Sequence, residues 1–193
     1  SQKNYEFSQV YPKSGWVEHD PIEILDTTIK AIKFVIADSK IDPKDITVAG
    51  ITNQRETVVV WDKTSGKPIH NAIVWQDRRT EEICEKLRLD GLSETITKKT
   101  GLIIDPYFSG TKIKWILENV PEAKNKIDSG NLIIGTIDTW LIWNLSKGSS
   151  HSTDVTNASR TMLYNIEEDA WDKDLLKILN IESSLLPNVK NSC

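Results

Sequence analysis

The sequence predicts a mixed α/β fold, and three observations carry the prediction. An amphipathic helix with a clear start signal comes first, short β-branched apolar runs bounded by turn residues follow it, and from Arg79 onward the apolar period becomes that of helices. A chain of 193 residues fits one domain of ordinary size or most of a larger one. A domain of that length buries roughly 70% of its unfolded surface, enough for a core without covalent staples.

The elements are expected in this order. Asp20 is a good N-cap, and Pro21 suits the first helical position, where its missing N–H costs nothing. Glu23 stands where a capping-box partner belongs. Ile22, Leu25, Ile29, Ile32 and Ile36 fall on one stripe, giving a helix from about 21 to 38. Ile46 to Thr52 reads as a strand, Thr57 to Asp62 as a second, and Ile69 to Trp75 as a third, with a turn at Ser65-Gly-Lys-Pro68 and an antiparallel meander overall. A helix then follows Arg79 and closes at Gly91, with Glu81 and Glu82 in its first turn. Shorter helices are expected over Leu92 to Thr100, Ser109 to Asn119 (stopped by Pro121) and Glu122 to Asp128. Leu132 to Gly135 is a buried strand, Asp138 caps a helix through Leu145, and Trp171 to Leu179 is a final amphipathic helix.

Composition excludes several classes. The net charge is −4 with both signs interspersed, so the basic stripe of a nucleic-acid binder is absent. No apolar run approaches the roughly 18 residues of a membrane span. The cysteines Cys84 and Cys193 make no disulfide framework, and a reducing cytoplasm is the simplest compartment. Asn144-Leu-Ser146 and Asn157-Ala-Ser159 match the glycosylation tripeptide, and without a signal peptide chance is the better explanation for both. The chain starts at Ser1 and ends at Asn188-Val-Lys-Asn-Ser-Cys193 without a closing element, so both ends read as truncations.

Three polar clusters carry the chemistry. Thr52-Asn-Gln-Arg-Glu-Thr57 joins two apolar runs, and by itself it reads as a solvated turn. However, Gly and Pro are absent from it, and neighbours Arg55 and Glu56 would point to opposite faces of a regular strand. If both serve one ligand, the backbone must leave the strand there. Trp75-Gln-Asp-Arg-Arg79 follows the third run; its Trp reads equally as core and its arginines as surface charges. Asp105-Pro-Tyr-Phe-Ser-Gly-Thr-Lys112 presents Tyr107 from an Asp-Pro turn ahead of a helix. Taken together, a guanidinium, a carboxylate, a phenol and an indole face suit a small polyol. Each hydroxyl both donates and accepts, so it can bridge Arg55 and Glu56, while Trp75 walls the carbon edge.

Beyond this point the sequence resembles the FGGY carbohydrate kinase family, in its glycerol-phosphorylating branch. Tyr11-Pro-Lys-Ser-Gly-Trp-Val-Glu-His-Asp-Pro21 is similar to an early family segment, Ile51-Thr-Asn-Gln-Arg-Glu-Thr57 to its polyol loop, and Ile73-Val-Trp-Gln-Asp-Arg-Arg79 to its tryptophan segment. Phe108 to Asn119 fits the first family signature, and Gly135 to Leu141 and Thr156 to Met162 complete the series in the family's order. The resemblance implies a ribonuclease-H-like, actin/hexokinase-type domain with a mixed sheet flanked by helices, of which residues 1–193 form a partial N-terminal, polyol-binding part. It implies transfer from ATP, with Mg2+, to glycerol, giving sn-glycerol 3-phosphate, in a homo-oligomer. It assigns glycerol hydrogen bonds to Arg55, Glu56 and Tyr107 and carbon packing to Trp75. The family's phosphate loop would precede Ser1, and its general-base aspartate and adenine-binding domain would follow Cys193, so the 193 residues alone are expected to be inactive, with no catalytic, nucleotide or metal residue of their own. Other FGGY sugar or polyol kinases, a non-catalytic polyol-binding domain and an actin-like assembly protein are the alternatives.

Overall fold

A computed structural model describes residues 1–192; Cys193 lies outside the described residues. The centre is a four-stranded sheet of order β1-β3-β2-β4, made of β1 (Glu18–His19), β2 (Val58–Asp62), β3 (Ala72–Ile73) and β4 (Leu132–Thr136). All its pairings are antiparallel, and the longest runs from Val58↔Thr136 to Asp62↔Leu132. All five residues of β2 and all five of β4 are buried, which requires cover on both faces of the sheet.

That cover follows the two-residue period of a strand. Val58, Val60, Ile73, Leu132 and Ile134 face one apolar cluster. It is completed by helices α2 (Glu81–Leu89), α3 (Ser93–Thr100), α4 (Ser109–Asn119), α5 (Pro121–Asp128) and α8 (Lys173–Leu179). Val59, Trp61, Ala72 and Ile133 face the other cluster, with Ile24 of α1 (Pro21–Ser39) and Ile137, Trp140 and Leu141 of α6 (Ile137–Leu145). Trp61 and Trp140 meet edge to face at 5.3 Å, and the Trp140 indole N–H donates to the Pro21 carbonyl at 2.9 Å, fastening α6 to the start of α1. Each indole so buried is worth several kcal/mol, about 3–5 on truncation to Ala.

The remaining elements form a second region. A short α7 (Val155–Ala158) follows β5 (Ser152–Asp154), which pairs in parallel with β8 (Asn188–Lys190), and β6 (Tyr164–Asn165) pairs with β7 (Ala170–Trp171). The C-terminal residues expected to lack a closing element therefore include a strand. No helix among the described residues is long and apolar enough to cross a membrane.

Several expectations are corrected. Residues 46–52 form no strand: no neighbour supplies a ladder, and Ile46, Val48 and Ile51 are exposed. The meander therefore reduces to β2 and β3, and the third strand shrinks to Ala72–Ile73 plus one bridge at Trp61↔Pro68. The predicted stripe on α1 is rotated. The buried positions are Pro21 and Ile24, while Ile22 and Ile32 face outward, because α1 docks by its first turns onto α6 and Phe7. Asp20 caps as expected, accepting from the Ile22 N–H at 2.8 Å, but Glu23 makes no capping box. Its carboxylate instead accepts from the Ser8 N–H and hydroxyl, at 3.1 and 3.3 Å, and holds the N-terminal segment. Pro121 both stops α4 and starts α5. The N-cap of α6 is Thr136, and Asp138 sits inside the first turn with another task.

Candidate polyol site

The site grows from the antiparallel pairing of β2 and β3. Val58 opposes Ile73, so the residues before β2 lie beside those after β3. The Trp75 N–H donates to the Thr57 hydroxyl at 3.3 Å, which joins the two polar clusters. Between them the backbone does leave the strand: Arg55 and Glu56 form a turn, closed by Thr57 N–H to Gln54 C=O at 3.1 Å. The first residue of α4 holds this turn, with the Ser109 hydroxyl donating to the Glu56 carbonyl at 3.2 Å.

Tyr107 arrives by a separate route. Its N–H donates to the Asp105 carboxylate at 2.8 Å, and Arg78 donates to the same oxygen at 2.9 Å. Lys112, wholly buried, donates to the Pro106 and Phe108 carbonyls at 2.9 Å each and to that of Tyr107. Burial pushes the Lys112 amine down to about 7, against the pull of the Glu56 charge. The three carbonyl acceptors match the three N–H bonds of the ammonium form and hold it against that push. The Tyr107 ring so placed meets Trp75 edge to face at 5.5 Å.

The structure therefore brings Glu56, Trp75 and Tyr107 to one corner. Arg55 is exposed and faces elsewhere: it lines an open cavity of about 700 Å³ with Asn53, Asp138, Thr153, Asp154 and Lys190. Asp138 anchors the floor between the two regions. Its carboxylate accepts from Asn53 at 3.2 Å, from Thr153 at 2.6 Å and from the Thr136 hydroxyl, and burial raises its pKa despite these donors. Arg79 takes no part in the corner. Its guanidinium is fully buried between Trp16 and Trp115, at 3.8 and 4.7 Å, and donates to Asp77 and Glu18. Arg78 remains half exposed, bridging Asp105 and Glu81.

Sequence reasoning missed one residue of this corner. Arg160, just beyond α7, donates from Nε to Glu56 Oε1 at 2.7 Å, and its guanidinium lies 5.7 Å from the Tyr107 ring centre and 5.0 Å from that of Phe108. Its segment, Thr156 to Met162, stood among the matched motifs, but nothing local in it points across the chain to Glu56. Among the described residues no three His, Cys, Asp or Glu side chains converge in a way that would hold a metal ion.

Comparison with known proteins gives the setting. The N-terminal domain of the FGGY family of carbohydrate kinases matches residues 1–193. Glycerol kinases of Petrotoga mobilis and of Thermoanaerobacter sp. (strain X514) are 63% and 59% identical over 97% and 100% of this chain. The chain spans only 38% and 39% of their lengths. A crystal structure of Plasmodium falciparum glycerol kinase with ADP superimposes with a TM-score of 0.91 at 46% identity, over 97% of this chain and 38% of that one. A gluconate kinase from Lactobacillus acidophilus shares the fold at 24% identity, with a TM-score of 0.82 over 96% of this chain and 36% of that one. The fold is thus the ribonuclease-H-like, actin-type arrangement of these kinases.

Proposed function

This chain belongs to the FGGY family of carbohydrate kinases, and from that premise we propose that it is the polyol-binding part of a glycerol kinase, which transfers a phosphoryl group from ATP to glycerol and yields sn-glycerol 3-phosphate. The observation that carries the reading is the corner of Glu56, Trp75 and Tyr107. It groups a carboxylate acceptor, a phenol and an indole face, with Tyr107 edge to face with Trp75 and linked to Glu56 through Arg160, a set that suits the alternating hydroxyls and carbons of a three-carbon triol. Arg55, on the adjoining turn position, is assigned to the same ligand by the family motif alone, since its side chain lines the neighbouring cavity.

In this reading the chain's residues bind and orient the acceptor. Glu56 accepts from a hydroxyl, Arg55 donates to one, Tyr107 bonds a third, and Trp75 packs on the carbon edge and sheds water from it. Holding the acceptor so converts an encounter into a positioned reaction, the larger part of phosphoryl-transfer catalysis. Mg2+ supplies charge neutralisation on the transferred group when bound. The phosphate-binding and proton-accepting roles belong to the whole enzyme, as do assembly into a homo-oligomer and a cytoplasmic location, and the 193 residues by themselves are proposed to release no ADP.

A coupled assay for ADP release from the enzyme that carries this chain, run with glycerol, erythritol, pentitols and pentuloses, tests the proposal. Glycerol is expected to give the highest kcat/KM. Arg55→Ala is expected to raise the glycerol KM by roughly 10- to 150-fold, the value of one hydrogen bond to a charged group. A clear preference for a pentulose would move the assignment to another sugar kinase of the family, and an unchanged glycerol KM would remove Arg55 from the site.

A further inference from the structure

We propose that Arg160 is a positioning residue for polyol binding: one guanidinium locks the Glu56 carboxylate and the Tyr107 ring into the arrangement that receives the substrate. The inference rests on the functional reading above and extends it to a residue that the polyol-site motifs do not include. Glu56 is almost fully buried, and only its Oε1 is engaged by Arg160; Oε2 accepts no hydrogen bond among the described residues and stays available to a hydroxyl. The same guanidinium stacks over Tyr107 and Phe108. A planar fork can donate at its edge and stack with its face at once, which an ammonium cannot do.

The arginine is itself rigidly presented. Asp154 caps α7 and accepts from the Asn157 N–H at 2.8 Å, the Arg160 N–H donates to the Asn157 carbonyl at 3.0 Å, and the Thr161 carbonyl accepts from the Gly110 N–H of α4 at 2.7 Å. Arg160 thus joins the two regions of the fold at the point where Glu56 and Tyr107 meet. Without it, Glu56 and Tyr107 would have to be ordered when the polyol binds, and that cost appears as lost affinity for this substrate alone.

Steady-state kinetics of the enzyme that carries this chain separate positioning from mere support. Arg160→Met keeps the stem and removes the guanidinium; it is expected to raise the glycerol KM by at least ~10-fold, with the ATP KM unchanged. Arg160→Lys is expected to recover part of that loss. A wild-type glycerol KM in Arg160→Met overturns the inference, and so does a joint deterioration of both KM values and kcat, the pattern of a structural ion pair. If Arg160→Met does not fold, Arg160→Lys decides: a raised glycerol KM at constant ATP KM supports positioning, and an unchanged one refutes it. Should the wild type act on another polyol and not on glycerol, the glycerol assignment falls, and the same comparison on that polyol supports or overturns the role of Arg160. A wild type that phosphorylates no polyol removes both.

Discussion

The Asn53 side-chain amide donates to the Asp138 carboxylate at 3.2 Å, tying the loop that carries Arg55 and Glu56 to the first turn of α6. The same carboxylate accepts from Thr153 and Thr136, so it holds three segments together at a buried position. Asp138→Ala leaves buried hydroxyls without an acceptor and is expected to cost about 2–3 kcal/mol of stability. Asp138→Asn, which keeps one acceptor oxygen, is expected to cost less. Urea unfolding followed by circular dichroism orders the two; equal losses would show that shape rather than hydrogen bonding sets the cost.

Acid stability has a defined contributor in Asp62. The hydrogen bond from Lys126 is the largest influence on its carboxyl and, with the Thr64 and Ser65 N–H groups, outweighs burial and holds it at about 2. An unfolded aspartate titrates near ~3.9. The folded pKa is therefore depressed, and the contribution is complete above about pH 4 and disappears as pH falls through about 2. Asp62→Asn is expected to melt below wild type at pH 6 and to converge with it toward pH 2. Parallel melting curves across that range would contradict the account.

Gly110 opens α4 against the segment that bears Arg160. A Cβ built there would sit 2.8 Å from a Leu179 methyl and 2.9 Å from the Thr161 carbonyl oxygen. A methyl can rotate away, but the carbonyl is held by the Gly110 N–H itself. Gly110→Ala is expected to destabilise by about 1–3 kcal/mol, as overpacking does. In the enzyme it is also expected to raise the glycerol KM by displacing Arg160. A variant with wild-type melting temperature and wild-type glycerol KM would show that α4 can shift without disturbing the corner.

Cys84 is fully buried in the larger apolar cluster, and burial pushes its thiol up to about 11. The thiolate is the reactive form, so native Cys84 is expected to be modified by iodoacetamide at pH 8 on the order of 100-fold more slowly than in urea. The comparison is made in a Cys193→Ser background. Fast stoichiometric labelling of the folded protein would reveal an opening of α2 that the packing does not suggest.

The legible parts of this fold were those specified locally. Asp20 and Pro21 announced α1 to within a residue, and the apolar runs Val58–Trp61 and Leu132–Gly135 announced the central strands, because those signals need no partner. Residues 46–52 carry an equally apolar, β-branched run, yet form no strand, since a ladder requires a neighbour that composition cannot supply. The stripe on α1 failed for a related reason: which side of a helix is covered depends on where α6 and Phe7 land. At the site, Glu56, Trp75 and Tyr107 were visible as unusual polar clusters and as family motifs. The β2–β3 register that sets Trp75 beside the Glu56 turn, and the reach of Arg160 to Glu56 across 104 residues, were not. Arg55 was legible as a candidate, and its facing toward a separate cavity was not.

Trp75 is 38% exposed, while the other six indoles are buried or partly buried. Excited at the red edge, this protein therefore carries an intrinsic lamp at the mouth of the corner proposed to bind the polyol. Acrylamide should quench that emission first, and an occupant settling against the indole should shade it, giving an equilibrium signal for ligand entry that requires neither turnover nor an added dye.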